Sequence, residues 1–234
     1  MTILGIVGGI APGSTIDYYR MLVAAYRAAR PDGSYPAIVI NSIDMTRMLG
    51  MIGGDRLPEV TEYLLNEIAR LAPAGANVGL LASNTPHIVF DQLTARSPIP
   101  LLSIVEAAGA AAQAMGVRSV GLLGTRFTME ASFYAGAFAR RGIAVHSPPP
   151  GDRAYVHAKY MGELVAGEFR DETRARFLEI IARLKDQAGV EAVVLAGTEL
   201  PLLLREDARS SVPLLDTTRI HVAQAVASLL ADDA

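Results

Sequence analysis

Residues 78–87 have the sequence Val78-Gly79-Leu80-Leu81-Ala82-Ser83-Asn84-Thr85-Pro86-His87, a short apolar run that ends in small and polar side chains. A second stretch repeats this pattern: Ala192-Val193-Val194-Leu195-Ala196-Gly197-Thr198-Glu199-Leu200-Pro201. The apolar runs predict buried strands. The polar residues after them would lie at the carboxyl ends of those strands, where open α/β sheets bind ligands. Because 197 − 83 gives a spacing of 114 residues, we predict two similar halves.

Two further pairs of residues recur at nearly this spacing. Gly8 and Gly124 are 116 residues apart (124 − 8), and Pro100 and Pro213, each followed by two leucines, are 113 apart (213 − 100). Strand and helix patterns alternate along the chain, which predicts an α/β protein with parallel sheets and helices on both faces. The repeat predicts an N-terminal lobe of residues 1–99 plus 213–234 and a C-terminal lobe of residues 100–212. A strand-end loop from each lobe would face a shared cleft.

The composition excludes several classes of protein. The 234 residues are 51% hydrophobic and 19% charged with a net charge of −3, which is typical of a soluble globular chain and gives no reason to expect nucleic acid or an anionic membrane as a partner. No apolar run reaches the roughly 18 residues of a membrane span. The N-terminus has no basic region typical of a signal peptide, so we expect a cytoplasmic protein. Cysteine is absent, which excludes disulfides and thiolate chemistry.

Polar side chains follow several of the predicted strands. They are Ser83, Asn84, Thr85, Thr125, Thr128, Thr198 and Glu199. Hydroxyls, amides and the backbone N–H groups of helix starts bind carboxylates well. Helix capping explains any single one of these residues equally well. Their recurrence in both halves favours a ligand, either a small dicarboxylate or an amino acid.

The four histidines do not indicate a metal site. His87, His146, His157 and His221 include no pair with metal-ligand spacing on one helix face, so we predict no bound metal. His87 lies four residues beyond Ser83 and could form a Ser–His pair with it. No acid that would orient the ring is evident, so a hydrogen-bonding histidine at the edge of a pocket is the favoured interpretation.

Five motifs together resemble the aspartate/glutamate racemase family. They are Gly8-Gly9-Ile10-Ala11-Pro12-Gly13-Ser14-Thr15 with Tyr18-Tyr19, Ser83-Asn84-Thr85-Pro86-His87, Leu123-Gly124-Thr125-x-x-Thr128, Gly197-Thr198-Glu199-Leu200-Pro201-Leu202-Leu203 and Asp216-Thr217-x-x-Ile220-His221. The resemblance spans the chain in order. It implies two pseudo-symmetric Rossmann-like lobes, a small carboxylate substrate in the cleft between them, no cofactor, and a homodimer.

The sequence departs from this family where the chemistry is done. The family uses one cysteine from each lobe to move the proton at the substrate Cα, and those positions correspond to Ser83 and Gly197. A serine hydroxyl is a poor base at neutral pH and glycine has no side chain, so two-thiol racemisation cannot operate. His87, Lys159 and Glu199 are the other candidate acids or bases. The resemblance implies substrate contacts from Arg47, Asn84, Thr85, Thr125, Thr128 and Thr198. Glycine at 197 also predicts room for a substrate that is larger at Cα.

Three functions are open at this point. The first is a family enzyme that acts on a small carboxylate by altered chemistry, such as decarboxylation, elimination, hydrolysis or one-sided proton transfer. The second is an amino-acid racemase or isomerase with other bases, or with its cysteines replaced by design. The third is a non-catalytic protein that binds carboxylates.

Overall fold

The computed structural model describes residues 1–204 and 209–231, and within those residues the chain forms two parallel sheets flanked by helices. The strands are β1 (Ile3–Gly8), β2 (Ala37–Ser42), β3 (Val78–Leu81), β4 (Leu101–Leu102), β5 (Ser119–Gly124), β6 (Ala144–His146), β7 (Ala192–Ala196) and β8 (Leu214–Asp216). The apolar runs before Ser83 and Gly197 are therefore strands β3 and β7, as predicted.

Helices separate the strands throughout. They are α1 (Pro12–Ala29), α2 (Met45–Gly53), α3 (Leu57–Ala69), α4 (Phe90–Arg96), α5 (Ile104–Ala114), α6 (Arg126–Glu130), α7 (Phe133–Ala139), α8 (Pro150–Gly162), α9 (Asp171–Ala188), α10 (Leu200–Leu204) and α11 (Thr217–Ala231). Two short 3₁₀ helices cover Thr85–Val89 and Leu164–Ala166. None of the helices in the described part of the chain is both long and apolar enough to cross a membrane.

The two sheets have the same topology. The strand orders are β2-β1-β3-β4 and β6-β5-β7-β8, and every neighbouring pair is parallel. In each sheet the central pair aligns along nearly its whole length: Leu4 is opposite Val78 in the first, and Val120 is opposite Ala192 in the second. This confirms the predicted α/β class with two similar parallel sheets.

The fourth strand of each sheet corrects the predicted domain boundaries. Leu101 of β4 pairs with Gly79 of β3, and Leu214 of β8 pairs with Val193 of β7. The prediction that strand 213–215 joins the N-terminal lobe is therefore wrong, because its backbone hydrogen bonds extend the second sheet. The chain divides into a first unit of residues 1–104 plus the chain from His221 onward, and a second unit of residues 105–220.

Each unit builds its own core from the periodic apolar faces of its helices. On α3, Val60, Leu64 and Ile68 recur at helical spacing and are buried in the first unit. On α9, Phe177 and Ile181 do the same in the second unit, where they pack in one cluster with residues of β7. The central strands are apolar on both faces because helices cover both.

Candidate functional site

The first polar strand end lies after β3. Ser83, Asn84 and Thr85 follow the strand directly and all three are buried. The 3₁₀ helix Thr85–Val89 then turns the chain, and its first turn is closed by the bond from the His87 N–H to the Asn84 carbonyl (3.0 Å). This local structure brings three predicted binding residues and His87 into one segment.

His87 is held as a neutral, structural ring. Its Nε2 accepts a hydrogen bond from the N–H of Ile104 (3.3 Å), and the ring stacks on Phe90 with centroids 4.5 Å apart. Burial, with a smaller effect from His221, lowers the pKa of His87 to about 3, although the backbone of Ser83 and Asn84 partly offsets this. Neither ring nitrogen bonds the Ser83 hydroxyl, since Nδ1 has no hydrogen-bond partner among residues 1–204 and 209–231. The geometry fits the hydrogen-bonding histidine rather than a Ser–His pair.

A second buried histidine, His221, joins helix α11 to other residues of the first unit by hydrogen bonds. The Tyr18 hydroxyl donates to Nδ1 of His221 (3.1 Å), and Nε2 of His221 donates to the carbonyl oxygen of Leu102 (3.2 Å). Because a carbonyl only accepts, Nε2 carries the proton and Nδ1 is the acceptor. Burial lowers the pKa of His221 to about 4, so the ring is neutral at physiological pH.

The turns after β1 and β5 are each closed by a hydrogen bond from a backbone N–H to a threonine hydroxyl. After β1, the N–H of Gly9 donates to the hydroxyl of Thr15 (2.8 Å). After β5, Thr125 caps α6 by accepting from the N–H of Thr128 (3.3 Å), and the two threonine hydroxyls are 3.1 Å apart. In both units a glycine ends the strand: a Cβ at Gly8 would lie 2.5 Å from Cγ2 of Thr15, and a Cβ at Gly124 would lie 2.6 Å from the carbonyl oxygen of Ala196 and 3.2 Å from Cβ of Thr128. Thr125 and Thr128 are thus brought together as predicted, and both are buried.

The strand end after β7 contains a hydrogen-bonded group of three side chains. The hydroxyl of Thr198 donates to Oε2 of Glu199 (2.8 Å), and the phenol of Tyr160, from helix α8, donates to the same oxygen. All three side chains are buried. Burial, followed by the negative charge of Glu199, raises the pKa of Tyr160 well above its usual value. The phenol therefore stays protonated and cannot serve as a base near neutral pH.

Tyr160 also fills the space beside Gly197. A Cβ built on Gly197 would lie 2.9 Å from both Cζ and Oη of Tyr160, and closer still to Cε2. Real Cβ atoms do not approach other atoms this closely. The expectation that Gly197 leaves room for a larger substrate is therefore wrong at this point, because an aromatic ring from α8 already occupies that volume.

Lys159 forms an ion pair with Glu163, which lies one helical turn further along the chain. Its Nζ contacts the carboxylate of Glu163, the C-cap residue of α8, and that hydrogen bond raises the pKa of Lys159. Glu163 also accepts from the hydroxyl of Thr173 (2.6 Å), which stabilises its charge. An ammonium group whose pKa is raised stays protonated at neutral pH, so Lys159 is suited to a cationic contact and unsuited to removing a proton.

Arg47 lies on α2, away from the strand-end segments in the sequence. Its guanidinium lies over the ring of Tyr63, 4.5 Å from the centroid, and it lines a surface cavity of about 640 Å³ together with Glu59, Glu62 and Glu67. The Tyr63 hydroxyl in turn accepts from the N–H of Asp44 (3.2 Å), the residue that caps α2. A role for Arg47 in substrate binding stays a prediction.

Sequence reasoning missed Tyr160. The residue lies four positions after the buried Val156, a spacing that predicts a core face of α8 and nothing more. Its relation to Gly197 and Glu199 depends on how α8 packs on β7, which no local pattern encodes. In the part of the chain that the structure describes, no group of three or more His, Asp or Glu side chains is arranged to hold a metal ion.

Two α/β units, each with a parallel sheet and with buried polar residues at the carboxyl ends of its central strands, are typical of α/β proteins that bind small molecules at those strand ends. Comparison with known families narrows this class. The profile of the Asp/Glu/hydantoin racemase family matches residues 7–225. The chain belongs to this family, as the five sequence motifs indicate.

Solved structures agree with this assignment. A candidate Asp/Glu racemase from Yersinia pestis is 34% identical, with a TM-score of 0.89 over 98% of this chain and 100% of that one. An aspartate racemase homologue from Pyrococcus horikoshii OT3 is 30% identical, with a TM-score of 0.83 over 98% and 99% of the two chains. An aspartate racemase from Picrophilus torridus shares the fold (TM-score 0.74) at 22% identity, covering 99% of this chain and 94% of that one.

Proposed function

We propose that this protein is a cofactor-independent enzyme that binds a small carboxylate or an amino-acid-like substrate through its polar strand-end residues, and that its chemistry differs from two-thiol racemisation. The observation that carries the proposal is the set of buried hydroxyl and amide side chains that directly follow the central strands of both units. Those residues are Ser83, Asn84, Thr85, Thr125, Thr128 and Thr198.

The chemistry of these side chains supports a carboxylate ligand. Each hydroxyl or amide can donate a hydrogen bond to an anionic oxygen, and hydrogen bonds to charged groups are stronger than those between neutral ones. Parallel sheets bind ligands at the carboxyl ends of their strands. Relatives of this chain carry names of enzymes that act on aspartate, which bears two carboxylates, so the proposed ligand class agrees with the family.

The absence of cysteine supports altered chemistry. A chain without cysteine has no thiol, whose pKa of about 8.5 makes it an effective acid and base at neutral pH. The remaining candidates are poor bases: Ser83 is a hydroxyl, His87 has a pKa of about 3, and Lys159 is protonated because of its ion pair. Oε2 of Glu199, the fourth candidate, already accepts hydrogen bonds from Thr198 and Tyr160. We therefore expect negligible interconversion of the L and D forms of aspartate or glutamate.

Isotope exchange tests this expectation directly. Each enantiomer of aspartate and glutamate is incubated with the protein in deuterated water, and loss of the Cα proton signal is followed by NMR. The proposal predicts binding without rapid exchange. Rapid exchange accompanied by racemisation would overturn it and would show that other residues replace the thiols. Exchange with retained configuration would support one-sided proton transfer, and Ser83→Ala would then be compared with the parent.

Binding is tested separately at Thr125. Thr125→Val keeps the shape of the side chain and removes the oxygen, so affinity for aspartate or succinate should fall by roughly 1–3 kcal/mol in binding free energy. Thr125→Ser is the matched control, because it keeps both the hydroxyl and the cap of α6, and it should bind nearly as the parent does. Calorimetry on variants whose circular dichroism matches the parent gives the result. Equal affinity of the valine and serine variants would remove Thr125 from the site.

The same proposal includes the homodimer that the family resemblance implies and the cytoplasmic location expected from the N-terminal sequence. Light scattering coupled to gel filtration measures the mass in solution. A mass of twice 24.8 kDa is expected, and a single-chain mass at micromolar concentration would contradict the dimer.

A further inference from the structure

The strand end after β7 lacks a side chain at position 197, yet the space beside it is not empty. The ring of Tyr160 stands where a Cβ of residue 197 would project, with Cζ and Oη both 2.9 Å from that point. The backbone of Gly197 does not require glycine, because its φ lies outside the left-handed region occupied by seven other glycines of the described chain. Among the atoms that a Cβ would meet there, the three nearest all belong to Tyr160.

Tyr160 cannot easily move aside. It is 6% exposed and belongs to the core cluster of the second unit, with Val156, Leu195 and Leu200. Its hydroxyl is bound to the buried carboxylate of Glu199, which also accepts from Thr198. Displacing the ring would cost packing in a close-packed core and would remove one of the hydrogen bonds that stabilise a buried negative charge.

We propose that Tyr160 is the specificity-determining residue of this strand end: its ring limits the size of the ligand beside Gly197, and its phenol orients the Glu199 carboxylate. The proposal rests on the proposed function, because it assigns Tyr160 to the same carboxylate-binding site. Loss of the ring opens the space beside residue 197. Loss of the hydroxyl alone leaves that space closed and releases Glu199, whose charge then opposes an anionic ligand more strongly.

The steric part of the proposal is tested without any ligand. Gly197→Ala and Gly197→Cys should lower the melting temperature in the parent background, because their Cβ meets the Tyr160 ring. In the Tyr160→Ala background the same changes should be neutral or stabilising, since the ring is gone and the unfolded chain loses entropy. Equal effects in the two backgrounds would overturn the proposal. Gly136→Ala, on the exposed face of α7 with open space around its Cβ, is the control for replacing glycine.

An introduced cysteine gives a second readout, because the parent chain contains no other thiol. In Tyr160→Ala/Gly197→Cys the thiol should react with a disulfide reagent at least about tenfold faster than in Tyr160→Phe/Gly197→Cys, since thiol reactivity depends on access. Equal rates in two folded variants would contradict the assignment of the ring to that space. If Tyr160→Phe/Gly197→Cys fails to fold while the alanine pair folds, the steric conflict is confirmed directly.

Ligand size tests the specificity itself. Calorimetry compares succinate with 2-methylsuccinate and 2-benzylsuccinate. Tyr160→Ala should gain affinity for the bulkier ligands relative to succinate, whereas Tyr160→Phe should keep the parent's preference and bind all three more weakly. If Tyr160 had a purely structural role, both variants would bind all three ligands more weakly by the same factor. That result would overturn the proposal. If the parent binds none of the three while the melting-temperature cycle behaves as expected, the proposed carboxylate function fails and the steric role of Tyr160 stands.

Discussion

At the scale of single residues, the two buried histidines of the first unit make stability depend on pH. His87 and His221 have pKa values of about 3 and about 4, both below the usual 6.5, because burial disfavours the charged ring. The unfolded chain protonates both rings as the pH falls through 6.5, whereas the folded chain does not. Their contribution to stability is therefore complete above pH 6.5 and is lost progressively towards pH 4 and below.

Denaturant unfolding measured between pH 7 and pH 4.5 tests the direction in which stability changes with pH. We expect the free energy of unfolding to fall with decreasing pH, with a slope of up to about 1.4 kcal/mol per pH unit from each histidine. His221→Gln removes one titrating group and should reduce the slope by up to that amount. Tyr18→Phe removes only the hydrogen bond to Nδ1, so it should lower stability and keep the slope. An unchanged slope in His221→Gln would contradict the burial argument.

At the site, contacts between residues close in sequence could be predicted, whereas contacts between distant residues could not. Thr125 and Thr128 could be predicted as neighbours because a strand end and a helix cap place them three residues apart. The pairing of Thr198 with Glu199 is likewise local. Tyr160 could not be predicted, because its contact with Gly197 spans 37 residues (197 − 160) and depends on the packing of α8 against β7.

At the scale of elements, strands β1 and β5 each end in a glycine that lets the next helix approach closely. A Cβ at Gly124 would lie 2.6 Å from the carbonyl oxygen of Ala196 and 3.2 Å from Cβ of Thr128. Ala196 ends the neighbouring strand β7, so this glycine controls the approach of two polar strand ends at once. The spacing of 116 residues between Gly8 and Gly124 marks the same structural requirement in both units.

Replacing Gly124, with Gly136 as the control, tests whether the close approach requires glycine. Gly124→Ala should destabilise the chain by about 1–3 kcal/mol, because the new methyl group meets backbone that cannot rotate away. Gly136→Ala, in the middle of α7 with open space around it, should stabilise by about 0.5–1 kcal/mol through the higher helix propensity of alanine. Urea denaturation of both variants gives the comparison. Similar stabilities for the two would contradict the close-approach argument.

The pairing of strands β4 and β8 also explains the error in the predicted domain boundaries. The alternation of strand and helix patterns was sufficient to predict the α/β class with parallel sheets, because a buried parallel strand has a strong local signature. The repeat of 113 residues relates β4 to β8 correctly but does not reveal which sheet each one joins. Backbone pairing decides this: both strands extend the sheet that precedes them, and the chain changes units only after the strand.

At the scale of the whole molecule, the first unit is assembled from two distant parts of the chain. The hydrogen bonds of His221 to Tyr18 and Leu102 join helix α11 to the segment of residues 1–104. A chain that ends at residue 220 should therefore leave the first unit open, while residues 105–220 keep their own sheet and core. Limited proteolysis with mass spectrometry should show rapid cleavage within residues 1–104 and protection of the second unit. Full-length His221→Gln serves as the control for loss of the ring alone. Equal protection of both units in the shortened chain would contradict this assembly.

The discontinuous first unit has a consequence for synthesis on the ribosome. Domains of a nascent chain generally fold in order from the N-terminus, but here the first four strands lack helix α11 until translation has passed residue 231. Between residues 104 and 221 lie 117 steps of elongation (221 − 104), which at roughly 5–20 residues per second take about 6–23 s. The second unit is continuous in sequence, and its last strand, β8 (Leu214–Asp216), is made before helix α11 (Thr217–Ala231) is complete. The unit whose strands are made first therefore waits for a helix that is made after every strand of the second unit.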